Sequence, residues 1–522
     1  MKNIILKVLI VLSFLFINVF PQGKPFTYRL DKSNSLKKIA ADDTPDGNNV
    51  QEIISVGDTL ITFSSGLNIS TDRGLTWNNF YGKEPFGNDG IYAIGYNKGA
   101  IWVSTGIRYY DETEGLIDSG KGLKVTTDLG KTWRSIPQPV DDISDSSVTY
   151  GNNKLKATPI TVIQQNVTFD IAFTPGTVWI TSFAGGLRKS TDNGNSWQRV
   201  VLPPDYLNHI SPTDTLDFTL APRAGTTGNL NHSAFSIVSI NDSTLYVGTA
   251  GGINKSTDDG ISWTKFNYKN QQNPIGGDWA TFLDYNKTTN TVWATTWKAE
   301  GEDEIFCINS TTDGGQNWSV FLPGIKALGY GFKNDEVISC TTEGVFRSSN
   351  GGKTWISPTS IIDSDSKLSL HATEYYDAAY DGKYIWLGTD DGLVRFDQTG
   401  VMWEGNWKIY LVSQPLASSN ESYCFPNPYY PKLGTLKIKY STGNITQPVT
   451  IRIYDFGMNY VRTIVQNVQR GGGLSGSSTV LGETDFWDGK DENGKVVPNG
   501  VYFYRIDRGS EEPLFGKILV IQ

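Results

Sequence analysis

Ser190-Thr191-Asp192-Asn193-Gly194-Asn195-Ser196-Trp197 is the stretch whose reading decides the fold. The phrase returns from Ser70 to Trp77, Thr126 to Trp133, Ser256 to Trp263, Thr311 to Trp318 and Ser348 to Trp355. Its pattern is Ser/Thr, any, Asp/Asn, any, Gly, any, Thr/Ser/Asn, Trp. A short polar run between two apolar runs reads as a hairpin turn. The third-position carboxylate can accept backbone N–H bonds a few residues on, and the fifth-position glycine supplies the positive φ such a turn needs. The tryptophan then opens the next strand, where its ring can cover a sheet edge. Repetition makes Asp72, Asp128, Asp192, Asp258, Asp313 and Asn350 staples of a fold rather than catalytic or metal-binding groups.

Upstream of each phrase lies an aliphatic-aromatic strand ending in small residues. Examples are Ile101-Trp102-Val103-Ser104-Thr105, Val178-Trp179-Ile180-Thr181-Ser182 and Ile385-Trp386-Leu387-Gly388-Thr389. Looser versions at Leu60 to Ser64 and Val337 to Thr341 bring the set to seven, one more than the turn phrases. Units of four short strands repeated in this way predict an all-β, seven-bladed β-propeller over 50–411, with blades beginning near Val50, Ile91, Thr168, Ser236, Trp279, Ile325 and Ala372. Each blade reads as contiguous sequence, with residues 406–411 as the outer strand of the last. The repeat resembles the Asp-box (BNR-like) repeat of sialidases, sortilin-type receptors and photosystem II assembly factors, in which it marks propeller blades.

The ends of the chain read differently. Lys2 and Lys7 precede an apolar run from Val8 to Ile17, the pattern of a signal peptide over 1–22, and a polar leader follows over 23–49. Export to the periplasm, the cell surface or the medium is the expectation, with no membrane span. A net charge of −9 argues against a nucleic-acid partner. Cys307, Cys340 and Cys424 are sparse for an exported chain; two buried thiols or a bridge between Cys307 and Cys340 both fit. His209, His232 and His371 have no zinc spacing, and neither a metal nor another cofactor is expected.

After a linker over 412–422, residues 423–522 form a second module, expected to be a small immunoglobulin-like β-sandwich. Phe425-Pro426-Asn427-Pro428-Tyr429, Phe486-Trp487-Asp488-Gly489 and Gly500-Val501-Tyr502-Phe503-Tyr504 carry the resemblance. It is similar to the immunoglobulin-like domain of the flagellar hook-capping protein family and to the carboxyl-terminal sorting domains of type IX secretion cargo. The second likeness implies the type IX secretion machinery as a partner. Asp488, Asp491 and Glu492 read as part of a hairpin turn closed by Asn493-Gly494 rather than a calcium loop.

Loop lengths carry the functional reading. Turn phrases and strand one-to-two connections are short and share one face. The insertions 106–121, 134–166, 198–233, 265–278 and 297–304 are assigned to the opposite face, and long loops on one face of a rigid ring mark a binding surface. Arg108, Tyr109, Tyr110, Tyr206, Trp279 and Trp297 are its candidate contacts, for a carbohydrate or a protein partner. The resemblance to sialidases and xyloglucanases implies an alternative, glycoside hydrolysis. No Arg-Ile-Pro phrase is present, the nearest string being Ala221-Pro222-Arg223, and the xyloglucanases resembled place one catalytic Asp on each of two propellers. Asp170, Asp278 and Asp377 are the carboxylates available for acid–base work on one ring. An assembly or scaffold role is the third reading. The reading adopted is a binding protein without catalysis.

Overall fold

The computed structural model describes residues 44–522 apart from 46, 65, 88, 112–114, 224–226, 300, 365–369, 371, 411–415, 417, 419, 426, 432–435, 444 and 472–481. The signal peptide, most of the leader and much of the linker expected from sequence lie outside the described residues, as does His371. The first sheet of the chain contains Glu52–Val56, Thr59–Phe63, Leu67–Ser70 and Asn78–Asn79, joined in that order. Six more sheets follow in chain order, with innermost strands Gly90–Asn97, Asp170–Thr174, Ala234–Ser239, Trp279–Asn286, Ala327–Lys333 and Tyr375–Tyr380. Each innermost strand contacts the next, and the seventh returns to the first. This closed ring of antiparallel sheets is a β-propeller. The second strands are buried over most of their length and in three sheets entirely, as in Thr177–Ser182, Leu245–Thr249 and Ile385–Thr389, because both faces are covered by neighbouring sheets.

The turn phrase shows how sequence becomes ring. In the phrase from Ser190, Asp192 Oδ1 accepts from Ser196 N–H at 2.8 Å and Oδ2 from the Ser196 hydroxyl at 2.6 Å. Ser190 Oγ accepts from Gly194 N–H at 2.7 Å and donates to Asp192 Oδ1. Asn193 and Gly194 take φ of 58° and 85°, a left-handed pair that closes the loop in two residues. A Cβ on Gly194 would come within 2.7 Å of Ile136 and 3.2 Å of the Trp102 ring, both in the preceding sheet. Gly260 meets Trp179 in the same way, and Gly74 of the first sheet meets Trp386 of the seventh. One glycine per phrase is therefore a seat for the neighbour's aromatic ring, and the last such seat closes the circle.

Three expectations need correction. The sixth sheet has three strands, its outer position reduced to a single bridge between Arg347 and Ile356. The segment 106–121 is no loop: Ala100–Asp111 and Gly115–Thr126 continue the hairpin of the second sheet outward, in register from Ile107 with Ser119 to Asp111 with Gly115. Nor do 134–166 and 198–233 stay on one face. Asn153–Ala157 pairs with Ser147–Tyr150 on one side and with Thr219–Leu220 on the other, while His209–Ile210 adds a fifth strand to the outer edge of the fourth sheet. The Tyr150 hydroxyl donates to Ile261 O, inside a turn phrase, so this inserted sheet runs down the rim to the turn-phrase face. Tyr150, Leu155, Ile210, Phe218 and Leu220 share one core with Trp179 and Trp263, so these insertions pay their ordering entropy by burying apolar surface.

Residues 422–520 build two further antiparallel sheets around a separate core. One holds Ser422–Phe425, Leu436–Ser441 and Gly482–Trp487; the other holds Gln447–Tyr454, Tyr460–Arg470, Gly500–Arg508 and Glu511–Val520. Alternation in Gln447–Tyr454 and Gly500–Arg508 sends Val449, Ile451, Ile453, Tyr502, Tyr504 and Ile506 inward against Trp487 and Ile438. In the turn after Trp487, Asp491 Oδ1 accepts from Asn493 and Lys495 N–H at 2.9 Å each, and Asp488 pairs with Arg462 at 2.8 Å. None of the three cysteines is bridged, and Cys307 and Cys340 are buried thiols.

Candidate functional site

A cleft of about 530 Å³ opens where segments 198–233, 265–278 and 297–304 meet, at the end of the fourth and fifth sheets away from the turn phrases. Asp278, Tyr268, Lys269, Arg223, Asp205 and the acidic run Glu302-Asp303-Glu304 line it. Gly276 and Gly277 let the chain approach: a Cβ on Gly277 would meet Trp297 O at 2.5 Å, and one on Gly276 would strike Cys307 Sγ. Asp278 follows at once, immediately before the strand Trp279–Asn286.

Glu304 is buried and organises the cleft wall. Its Oε2 accepts from Asp278 N–H at 2.8 Å and Ala299 N–H at 2.9 Å, while Oε1 accepts from Gly301 N–H. Asp278 Oδ1 accepts from Tyr268 N–H at 2.8 Å. Burial pushes the Asp278 carboxyl up to about 6; the Tyr268 bond opposes the shift, Glu304 adds to it, and Lys265 and Lys269 oppose it. Lys265 is held by Pro204 O and Asp205 O at 2.9 and 2.7 Å, and burial brings its ammonium down to about 8. Asp205 itself accepts from Leu230 and Asn231 N–H, at 3.0 and 2.9 Å.

Beside the cleft runs a ledge of rings. Phe235 lies 6.3 Å from Phe169, 5.9 Å from Phe183 and 5.8 Å from Trp279, and all four are half-buried. Phe235 is the extra residue of a bulge between Ala234 and Ser236. The innermost strands of the second, fifth, sixth and seventh sheets bulge at the corresponding point, at Tyr92, Thr281, Leu328 and Tyr376. A bulge re-aims one side chain out of the pleat. Trp297 is the cross-strand partner of Trp279, and Lys326 sits 4.4 Å above its ring.

The structure thus gathers some sequence candidates and separates others. Trp279, Trp297 and Asp278 converge here, and Tyr206 is exposed next to Asp205. Arg108 is elsewhere, its fork spent on Asp118 at 2.7 and 2.9 Å, while Tyr109 is half-buried on the extended hairpin. Tyr110 pairs with Leu116 in that hairpin, and its side chain lies outside the description. Asp170 and Asp377 do not join Asp278. They are in the ring's interior, where Asp170 Oδ2 accepts from Ile237 N–H at 2.8 Å and Asp377 Oδ2 from Ile53 N–H at 2.9 Å. Sequence reasoning missed Phe169, Phe183, Phe235 and Glu304. An aromatic just before the first innermost-strand aliphatics, as in Phe235-Ser236-Ile237 or Tyr376-Asp377-Ala378, was the available signal. Among the described residues no group of three or more His, Cys, Asp or Glu is placed to hold a metal ion, and no helix is long and apolar enough to cross a membrane.

No protein-family profile matches the chain. It is 24% identical over 254 residues to the xyloglucanase Xgh74A of Acetivibrio thermocellus, a stretch that takes in 46% of this chain and 24% of that enzyme. The chain therefore spans about a quarter of the length of the curated relatives it matches. Among solved structures, PorZ, a surface component of the type-IX secretion system of Porphyromonas gingivalis, aligns at 12% identity and TM-score 0.38 over 91% of this chain and 66% of that one. YCF48 from Cyanidioschyzon merolae aligns at 15% and 0.40 over 68% and 96%, and an ancestral GH74 enzyme at 15% and 0.45 over 90% and 62%. At these identities and scores no activity follows from the likeness.

Proposed function

We propose that this chain is an exported seven-bladed Asp-box propeller that binds a carbohydrate through the face bearing the cleft and the ring ledge, without catalysing a reaction. The observation that carries it is the contiguous ledge of Phe169, Phe183, Phe235 and Trp279 beside an acidic cleft. Flat rings stack on the C–H faces of sugars, and carboxylates beside them accept from hydroxyls. Binding of the full chain to a glycan array tests this, with Phe235→Ala and Trp279→Ala expected to weaken the signal at least tenfold. A chain that retains its melting temperature but binds no glycan, or binds equally well without these rings, overturns it.

A second reading has its own observation: Asp278, in the cleft and titrating near 6, suits a general acid of glycoside hydrolysis. The similarity to a xyloglucanase is compatible with it. A hydrolase also needs a second, available carboxylate. Glu304 already accepts three backbone N–H bonds and Asp205 two, so on this reading the second carboxylate would come from Glu302 or Asp303 on the same cleft. Xyloglucan and sialoside hydrolysis assays decide between the two.

Residues 423–522 form, on this proposal, an immunoglobulin-like module for sorting or anchoring through type IX secretion machinery. Its separate core supports an independent unit. A chain ending at 419 is expected to keep a folded ring but to remain in the periplasm. Equal surface display of both forms removes the sorting role and leaves a spacer.

A further inference from the structure

Three carboxylates stand on equivalent rungs of the innermost strands. Glu52 is opposite Phe63, Asp170 opposite Thr181 and Asp377 opposite Gly388. Each reaches the following sheet: Ile94 N–H donates to Glu52 Oε2 at 3.1 Å, Ile237 N–H to Asp170 and Ile53 N–H to Asp377. The same rung in the other sheets carries Ala93, Ser236, Phe282 and Gly329, which have no carboxylate to offer. The first sheet is therefore gripped on both sides, by Asp377 across the closing seam and by its own Glu52 onto the second sheet. Around Asp377 the closure also draws on Val50 N–H to Thr389 O at 2.9 Å, Gly392 N–H to Asn48 O at 2.7 Å, the Asn49 amide to the Tyr376 hydroxyl at 3.5 Å, an Arg73–Asp381 pair at 3.7 Å, and the apolar cluster that packs Val50, Ile53 and Trp77 on Trp386 beside the Gly74 seat.

The surroundings of these groups are nearly all neutral or acidic. Asp284, two rungs along the fifth sheet's strand, bears on Glu52, Asp170 and Asp377; Glu52 is also repelled by Asp170 and Asp377. Lys287 acts on Asp284. The Cys340 thiol faces Asp377, and Tyr330 faces Asp284 while donating to neither. Of the other titratable groups on these strands, Tyr92 bonds to Asp118, Tyr285 to Asn290, Lys333 to Gln398, Tyr376 to Glu374 and Tyr380 to Gly382 O. Tyr375 is buried next to Cys340, and Tyr96 lies in the second sheet's strand.

We propose that Glu52 and Asp377 form an acid-favoured latch on the first sheet, closed when they carry protons and loosened when they ionise. A protonated carboxyl still accepts the N–H through its carbonyl oxygen, so neutralisation keeps the bond and removes the repulsion. Burial is the first cause that raises all four carboxyls, Asp170 to about 7, Asp284 to about 6, and Glu52 and Asp377 well above the carboxylate range. The folded ring thus holds protons that the unfolded chain has released. Its latch is full below the unfolded pKa near ~4 and is lost as pH climbs through the folded values.

Hydrogen exchange of the full chain at pH about 5 and about 8, normalised for intrinsic rates, tests the latch. Peptides covering 50–63 and 375–389 are expected to open more at the higher pH, by up to about tenfold for each pH unit inside the window. Peptides covering 245–256 and 291–297, from the seam between the fourth and fifth sheets and holding neither a carboxylate nor an amide bonded to an interior one, serve as the control. Asp377→Asn and Glu52→Gln should flatten the dependence and slow exchange at the higher pH. Parallel behaviour of both seams in the unmodified chain overturns the latch, and so does an amide variant that opens faster at pH about 8 than its parent.

Discussion

Asp192 and Asp377 carry the same carboxylate into opposite surroundings. Asp192 is on the surface, its oxygens bonded to Ser190 and Ser196 within one turn, and its carboxyl is held down to about 2, first by the Ser196 hydroxyl and then by that residue's N–H. Asp377 is 5% exposed and accepts an N–H from Ile53 at the far end of the ring's sequence, and burial outweighs that bond. One kind of aspartate closes a loop and wants its charge. The other closes a ring and is destabilised by it. The difference is sequence distance as much as burial: a four-residue staple can be rebuilt locally, whereas a seam depends on every sheet being in place.

The largest effect should come from the seam. Trp386→Ala removes a fully buried ring that lies 5.8 Å from Tyr410 and seats Gly74 of the first sheet. A loss of about 3–5 kcal/mol is expected, read as a lower denaturant midpoint. A loss below about 1 kcal/mol would mean the closing contact is held by something other than this core. Next comes the local staple. Asp258→Ala strips the acceptor from Ser262 N–H and hydroxyl and from Ser256 Oγ, and should lower stability by about 1–3 kcal/mol without altering ligand binding. A variant that melts like its parent yet loses glycan binding would move the turn phrases into the binding surface.

These two variants also mark what sequence could reveal. The turn phrase was legible because its whole mechanism lies within eight residues, from Ser256 Oγ to Trp263. Trp102, Trp179 and Trp386 were legible as strands, but not as seats for Gly194, Gly260 and Gly74, since a seat joins two sheets. Insertions 134–166 and 198–233 looked like loops because strands as short as His209–Ile210 and Thr219–Leu220 give no periodicity to read. Within the site, Asp278, Trp279 and Trp297 were visible as residues beside strand ends. Glu304 was not, because its importance lies in three N–H groups that only the folded backbone turns towards it.

The contrast between the two carboxylate classes should appear in the pH dependence of the whole chain. Turn carboxylates such as Asp128 and Asp313, held at about 2 by bonds to Thr132 and Asn317, contribute stability that is present above the unfolded value and lost as pH falls through the folded one. Interior carboxylates act in the reverse direction, losing stability as pH rises from the unfolded value towards and beyond 7. The melting temperature should therefore peak on the mildly acidic side, near pH ~4–5, and decline on both flanks. Asp170→Asn should shallow the alkaline flank alone. A plateau from pH ~5 to ~8 would mean the interior charges are compensated within the ring.

Asp278 offers the smallest and most discriminating change, because it lies between the two classes. It is part-buried like an interior carboxylate, yet it faces a cleft and shares its loop with Lys269. Asp278→Asn keeps an oxygen for Tyr268 N–H, so the fold should shift by no more than about 0.5 kcal/mol. If the cleft binds sugar, a hydroxyl satisfies either protonation state, as donor to the carboxylate or acceptor from the acid. Affinity should then change by less than about tenfold, and the step near pH 6 in a calorimetric titration should vanish. A general acid has no such freedom, since only its protonated form can deliver the proton to a leaving oxygen. In that case the amide would leave ligand affinity nearly intact and cut turnover by about 10²–10⁴. Measuring affinity and turnover on the same pair of proteins separates a carboxylate that recognises from one that reacts.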